Sequence, residues 1–422
     1  MSREAVPGAV ATAAAIRAGR LTATQAMRAC LDRIAARDPT LRAFVHLDPD
    51  AAMARAEAAD RAEPSGPLHG VPFAVKDIID TDFAPTGWGT PIHAGHRPPR
   101  NAACVALLMA AGAVPVGKTV TTEFAYFAPG PTANPAAPGH TPGGSSSGSA
   151  AAVADGMVPL ALGTQTAASV IRPAAYCGVP GYKSSHGDLP LEGVMGFAPS
   201  LDSLGLMARD VADIALVRAV LAGAGAAPLP DFEETSPRVA LMRGPHWSEG
   251  SMEMRETVLR ATERLAAAGA TVSELATPPI FAELAEAHRT VMAFEAARTR
   301  AHEATRHADA LGPAFSELIA SGWGTPRADY LSALALRDRA ARLLTPMFLD
   351  CDAILAPAAP GPPPEGLEAT GDPLFSRAWT LLQLPALAVP AGPGPQAVQL
   401  IGPKGGDDRL IAAAGWIGER LT

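Results

Sequence analysis

A chain of 422 residues, 48% hydrophobic and 18% charged, carries enough apolar material for one large core, and its net charge of −8 excludes nucleic acid as the main partner, because phosphate binding needs a surplus of clustered cations. No run approaches the ~18 apolar residues of a membrane span, and the Ala-rich start from Ala5 to Ile16 follows Arg3 and Glu4 and lacks a leucine-rich leader segment. A cytoplasmic protein that meets neither membrane nor nucleic acid is expected, with Cys30, Cys104, Cys177 and Cys351 as reduced, mostly buried thiols, since no CxxC pair joins them.

The first 63 residues predict helices over Ala9–Ala18, Thr22–Arg37 and Asp50–Glu63, from apolar residues at i, i+3, i+4 spacing and a capping residue at Thr22. From Pro67 the pattern changes. Short β-like runs at Val71–Ile79, Ala113–Val116 and Met157–Leu162 alternate with helical stretches at Ala103–Ala111, Ser149–Ala154 and Asp210–Ala222, which predicts a sheet covered by helices. A Pro-rich link at Ala226–Pro230 leads to a further strand at Val239–Met242 and to helices at Met252–Ala268, Phe281–His302 and Ala328–Leu349. Strands at Ala353–Ala356, Ala386–Pro390 and Val398–Ile401 and a last helix from about Asp408 to Leu421 complete the chain. No internal repeat is found, and one domain over 1–422, with a helical segment at about 1–63, is expected.

Only Lys76, Lys118, Lys183 and Lys404 are lysines; arginine fills the other basic positions. Arginine is never deprotonated in practice whereas a desolvated lysine can be, so these four are the first places to look for a base. Gly112-Ala-Val-Pro-Val-Gly-Lys-Thr119 satisfies the phosphate-loop pattern GxxxxGK[ST], but a helix precedes it and its middle residues look like a strand, so a structural role is expected for Lys118. Gly144-Ser-Ser-Ser-Gly148 satisfies the nucleophile-elbow pattern GxSxG, yet the preceding Pro131–Pro142 holds four prolines and is a poor strand. As a flexible linker the same segment makes little sense between apolar elements.

Five segments in one order resemble the amidase signature family: Gly70-Val-Pro-Phe-Ala-Val-Lys76-Asp77, Gly117-Lys-Thr-Val-Thr-Thr-Glu-Phe124, Pro142-Gly-Gly-Ser-Ser-Ser-Gly-Ser149, Gly163-Thr-Gln-Thr-Ala-Ala-Ser169-Val-Ile-Arg172-Pro-Ala and Ser200-Leu-Asp-Ser-Leu-Gly205. The N-terminal helices and the segments Leu384–Pro390 and Val398–Gly402 match as well. The resemblance implies an α/β fold with a large mixed sheet flanked by helices on both faces. It implies Ser169 as nucleophile, Ser145 as a bridging serine on a cis peptide after Gly144, and Lys76 as base, with Thr166, Ala167 and Ala168 forming an oxyanion hole. The chemistry is coherent: a serine hydroxyl needs a base, and lysine can be one once desolvation lowers its pKa. The competing role for Lys76 is a salt bridge to Asp77 or another acid.

Two departures stand out. Ala168 occupies a position where glycine is usual; if its φ must be positive, the methyl group costs roughly 1 kcal/mol or more and impairs the hole. Lys183-Ser-Ser185 replaces the usual Lys-Pro-Thr, which affects a loop. In the malonamidase-like small-amide branch an arginine at the position of Arg172 binds substrate carboxylate; the alternative is a structural pair with Asp202. Thr122, Tyr126 and Phe127 are expected to line the pocket and Gln165 to position the oxyanion strand, with further pocket walls from residues 280–330. The function implied is hydrolysis of a small amide, carboxylate-bearing in that branch, through an acyl-enzyme, with no metal or organic cofactor and with a homodimer as the common assembly. The alternatives are the amidase subunit of a glutamine-dependent tRNA amidotransferase and a catalytically inactive scaffold with the same fold.

Overall fold

A computed structural model of the chain describes residues 6–223, 231–232, 235–392 and 394–421; the Pro-rich link expected at Ala226–Pro230 lies outside them. Eleven strands, β1 (Phe44–Leu47), β2 (Pro72–Lys76), β3 (Val114–Thr119), β4 (Leu160–Gln165), β5 (Gly181–Lys183), β6 (Ser203–Ala208), β7 (Arg238–Leu241), β8 (Thr271–Glu274), β9 (Ala353–Pro357), β10 (Ala386–Pro390) and β11 (Ala397–Ile401), form one sheet. Their order is β1-β3-β2-β4-β6-β5-β10-β11-β9-β7-β8. β2 runs parallel to both β3 and β4, and β7 parallel to β8 and β9, whereas β4–β6, β5–β6 and β10–β11 are antiparallel. The sheet is mixed, as expected.

Every residue of β2, β3, β4, β6, β9 and β11 is buried, the signature of strands covered on both faces, and this is why β2, β9 and β11 read as mostly apolar runs rather than alternations. The outermost strands β1 and β8 are largely uncovered and short, which limits the unpaired edge they present. Thr22 caps the second helix through a reciprocal capping box with Gln25, so the local signal there is sufficient to fix the start. The helix expected over Phe281–His302 is divided into Leu284–Thr299 and Ala301–Arg306, preceded by a 3-10 turn at Pro279–Glu283.

The Gly/Ser segment is buried and packed. Gly143 has φ +81, and a Cβ there would lie 2.9 Å from the Pro173 Cα. Gly148 opens the helix Ser147–Ala154, and a Cβ on it would meet the Ala43 carbonyl oxygen at 2.2 Å. The two glycines therefore let this segment turn and press against the ends of β2–β4, neither a linker nor an elbow following a strand. The phosphate-loop pattern is likewise absorbed: its Val114–Thr119 is β3, and the buried Lys118 donates to Ile79 O at 2.8 Å and Thr86 Oγ1 at 2.6 Å and pairs with Asp77 at 3.2 Å.

Candidate active site

Lys76 is the last residue of β2 and Gln165 the last of β4; because these strands are parallel and adjacent, both end on the same side of the sheet. Burial at every position of β2 leaves the Lys76 ammonium shut off from solvent. Its Nζ donates to Ser145 Oγ at 2.7 Å and Thr164 Oγ1 at 2.9 Å, with Thr164 O at 3.5 Å. Burial pulls its pKa from the ordinary 10.5 down to about 7, opposed by the negative charge of Asp202. Among the described residues no acid pairs with Lys76; Asp77 is taken by Lys118. The lysine is held as a base would be.

The peptide bond between Gly144 and Ser145 is cis. Ser145 and Ser169 line one narrow cleft, which holds about 340 Å³ of unfilled space, together with Thr122, Tyr126, Phe127 and Arg172. Lys76 and Ser145 are hydrogen-bonded, whereas no hydrogen bond joins Ser145 to Ser169 among the described residues. The Ser169 carbonyl does accept from the Ser146 amide at 3.4 Å, which ties the two serine segments together. Thr122 Oγ1 is buried without a partner, a polar atom available to a substrate.

The loop between β4 and the helix Ile171–Cys177 is braced from several sides. Gln165 Oε1 accepts from the Val170 and Ile171 amides at 2.9 and 3.1 Å, while its Nε2 donates to Thr380 Oγ1, which in turn donates to the Ala167 carbonyl at 2.8 Å. Thr166 donates its hydroxyl to Asp202 Oδ1 at 2.6 Å. The Ala167 carbonyl is thus engaged by Thr380, and the amides of Thr166, Ala167, Ala168 and Ser169 have no hydrogen-bond partner among the described residues. Ala168 is not among the residues with positive φ, so the methyl group carries no left-handed penalty.

Two residues of this frame give no readable signal in the sequence. His288, fully buried on the helix Leu284–Thr299, meets the Thr166 carbonyl with Nε2 at 2.8 Å and Arg377 Nη1 with Nδ1 at 3.0 Å. A guanidinium can only donate, so Nδ1 accepts and Nε2–H donates to Thr166. Burial, reinforced by the Arg377 charge, lowers the His288 pKa to about 3 and keeps the ring neutral. A lone histidine and a lone arginine 89 positions apart carry no spacing pattern, and only the packing of the two helices joins them.

Arg172 is buried. Its Nη2 donates to the Gly144 carbonyl at 2.7 Å and to Thr370 Oγ1 at 3.1 Å, and its Nη1 donates to the Gly371 carbonyl. It does not pair with Asp202, whose carboxylate instead accepts from Thr166 and from the Phe197 and Ala198 amides. Its Nη2 thus supports the backbone ahead of Ser145, while Nη1 ties that backbone to the Thr370–Gly371 segment. Burial raises Asp202 to about 6, opposed by those three hydrogen bonds, so it is ionised above that pH and favours the Lys76 ammonium. Asp202→Asn is expected to lower the Lys76 pKa further, because the charge that stabilises the ammonium is gone, so an acid limb of the pH–kcat/KM profile governed by this group moves to lower pH. A limb that stays in place, measured with saturating buffer controls, would show that the titrating group is not Lys76.

Comparison with known proteins agrees with this geometry. The family model named Amidase matches residues 25–411. Among curated proteins, a glutamyl-tRNA(Gln) amidotransferase subunit of Chloroflexus aurantiacus is 37% identical, covering 98% of this chain and 96% of its own, and its counterpart in Lachnospira eligens is 33% identical over 96% of each. Among solved structures, an amidase superimposes with a TM-score of 0.89 at 30% identity, covering 99% of this chain and all of its own. The native peptide amidase of Stenotrophomonas maltophilia gives a TM-score of 0.83 at 29% identity over 98% and 96% of the two chains. A chain from a vestigial protein complex bearing on the origins of an s-triazine catabolic enzyme gives 0.89 at 28% identity over 99% and 100%. Among the described residues no helix is long and apolar enough to cross a membrane and no acid, histidine or cysteine cluster fits a metal ion.

Proposed function

The chain belongs to the amidase signature family, and from that premise we propose that it cleaves a small amide by acyl transfer to Ser169, with Ser145 and Lys76 as the proton relay. Family membership by itself places the chemistry on a carbon–nitrogen bond, as a hydrolase or an amidotransferase. The observation that supports the finer reading is the buried Lys76, brought to a pKa of about 7 and bonded to Ser145 in the cleft that Ser169 also lines. In its neutral form Lys76 has two N–H groups for Thr164 and a lone pair for Ser145. Ser169 Oγ attacks the carbonyl carbon as its proton passes through Ser145 to Lys76, and the oxyanion is met by backbone amides of the segment Thr166-Ala167-Ala168-Ser169. The proton returns through Ser145 to the leaving nitrogen, the C–N bond breaks, and ammonia or an amine departs. Water then attacks the acyl-enzyme, giving its proton to the same relay and restoring Ser169. No step calls on a metal or an organic cofactor.

A second reading is favoured by the curated relatives: the same site working inside a glutamyl-tRNA amidotransferase complex, releasing ammonia from glutamine for a partner. The alignment to the Chloroflexus protein spans 468 positions against 422 residues here, so at least 468 − 422 = 46 of its positions have no counterpart in this chain. Ammonia release should be measured for the chain alone on a panel of short amides, amino-acid amides and glutamine. Turnover of small amides by the chain alone is the expected result. Release from glutamine only after partner proteins are added supports the second reading, and no release under either condition overturns both in favour of an inactive scaffold.

A further inference from the structure

Resting on the amidase reading above, we propose that His288 and Arg377 are positioning residues for the oxyanion hole, which hold and polarise the Thr166–Ala167 peptide so that its N–H meets the oxygen that turns negative during acyl transfer. In a trans peptide the N–H and C=O point opposite ways, so a donor fixed on a carbonyl also aims the amide of the next residue. Three successive carbonyls of this loop are held in that manner. His288 Nε2–H donates to Thr166 at 2.8 Å, Thr380 Oγ1 to Ala167 at 2.8 Å, and the Arg172 amide to Ala168 at 3.0 Å. The amides that belong to those peptides, on Ala167, Ala168 and Ser169, have no partner among the described residues, and Ala167 and Ser169 line the cleft.

The first of these three bonds differs from the others because a charge stands behind it. Arg377, on the helix Leu374–Leu381, is only 6% exposed; its Nη1 donates to His288 Nδ1 at 3.0 Å, and no carboxylate pairs with it among the described residues. With Nδ1 occupied as an acceptor, the ring must carry its proton on Nε2; the other tautomer would set a lone pair against the Thr166 carbonyl. Burial and the Arg377 charge hold the ring neutral, so the guanidinium remains the one cation of the chain. Donation runs in a single direction, from Arg377 to His288 to the Thr166 carbonyl and on to the Ala167 N–H, and each bond strengthens the next. The bond to Ala167 starts instead from the neutral Gln165 amide, which donates to Thr380 Oγ1 at 3.1 Å. A cation at the head of such a chain does little for a neutral carbonyl oxygen and much more for an oxyanion, so its effect falls on the transition state.

The test pairs kinetics with a readout that needs no turnover. For the native chain, His288→Leu, His288→Gln, Arg377→Met and Arg377→Lys, kcat and KM are measured on the best substrate of the amide panel, together with the rate at which a fluorophosphonate labels Ser169. His288→Leu is expected to lower kcat about 10–10²-fold with KM little changed, less than the ~10²–10³ for deleting a hole donor itself, and to slow labelling in step. His288→Gln, whose amide can accept from Arg377 and donate to Thr166, should recover most of the loss, and Arg377→Met should cost more than Arg377→Lys. A loss carried by KM, or a glutamine variant no better than leucine, would reduce the pair to packing and overturn the proposal. Separately, the chain is labelled with carbon-13 on threonine carbonyls and nitrogen-15 on alanine, which selects the Thr–Ala peptides at 12–13, 22–23, 132–133 and 166–167 in a magnetic resonance spectrum, with Ala167→Gly identifying the last. Its amide signal is expected to move in His288→Leu and Arg377→Met and to return towards native in His288→Gln, with the others in place. A signal indifferent to both residues overturns the proposal. One that responds in a chain that neither turns over an amide nor takes the label leaves the positioning pair standing and overturns the amidase reading alone.

Discussion

Ser169→Ala is expected to lower kcat about 10⁴–10⁶-fold on any amide the native chain turns over, the range seen when a serine nucleophile is removed from a relay that otherwise stays intact. The same substitution should abolish a fluorophosphonate adduct detected by intact mass. Ser169 is 8% exposed and lines the cleft, and its own hydroxyl makes no hydrogen bond among the described residues, so its removal leaves no buried partner unsatisfied and the fold should persist. Ser145→Ala is expected to cost less, about 10²–10⁴-fold, as for loss of a proton-transfer step, with slow labelling of Ser169 retained. An adduct that survives Ser169→Ala would move the nucleophile elsewhere. Ser146, the GxSxG serine, is the next candidate by pattern, but it is fully buried and its hydroxyl donates to the Thr164 carbonyl at 3.3 Å.

The fold is legible in the sequence wherever one strand is apolar along its whole length. β2, β3 and β4 can be placed within a few residues because buried parallel strands leave uninterrupted runs, and β10 matches end to end. β5 is three residues long and β6 begins with Ser203, so neither carries a run long enough to register, although both lie at the centre of the sheet. β1 and β8 are edge strands of four residues each: β1 is mostly apolar but too short to register as a run, and β8 has Val272 as its one apolar residue. The helices Ile171–Cys177 and Leu374–Leu381 are almost wholly buried and span only seven and eight residues, too short for a periodic pattern to stand out from the neighbouring runs.

The site divides along the same physical line. Lys76, Ser145 and Ser169 sit in motifs whose order along the chain carries the information, and the structure brings Lys76 to Ser145 and both serines to one cleft. What supports them does not lie in motifs. From sequence alone Asp202 suggests only a partner for Arg172, whereas it holds Thr166 and sits near enough to Lys76 to influence its charge. His288 and Arg377 act through contacts between elements far apart in sequence, set by helix packing alone. Ala168 shows the converse: a substitution that looks costly from residue type is harmless once its backbone is known to avoid positive φ.

Lys76→Met is expected to lower kcat/KM about 10²–10⁴-fold and to remove the acid limb of the pH profile, while making the protein harder to unfold. The kinetic half follows from protonation. At pH 8 a lysine with pKa about 7 is about nine-tenths neutral, against roughly one part in three hundred at the ordinary 10.5, so native activity should rise through pH 7 and level off above 8. Lys76→Arg should be as inactive as Lys76→Met, since a guanidinium never yields its proton in this range. The stability half follows from the same shift with its sign worked through. The unfolded chain holds a proton on Lys76 up to about 10.5, whereas the folded chain sheds it near 7, so folding releases a proton between those values and stability rises with pH across the window. Below pH 7 the full penalty of burying the ammonium applies, on the order of a few kcal/mol. Methionine fills similar volume with no charge to desolvate, so Tm should exceed the native value at pH 7 and the gap should close as pH approaches 10.5. A Tm lower than native at pH 7 would mean that the bonds to Ser145 and Thr164 outweigh desolvation and that Lys76 is held for structure. A higher Tm with activity lost would show a base kept at the expense of stability, as an acyl-transfer site that relies on a neutral lysine requires.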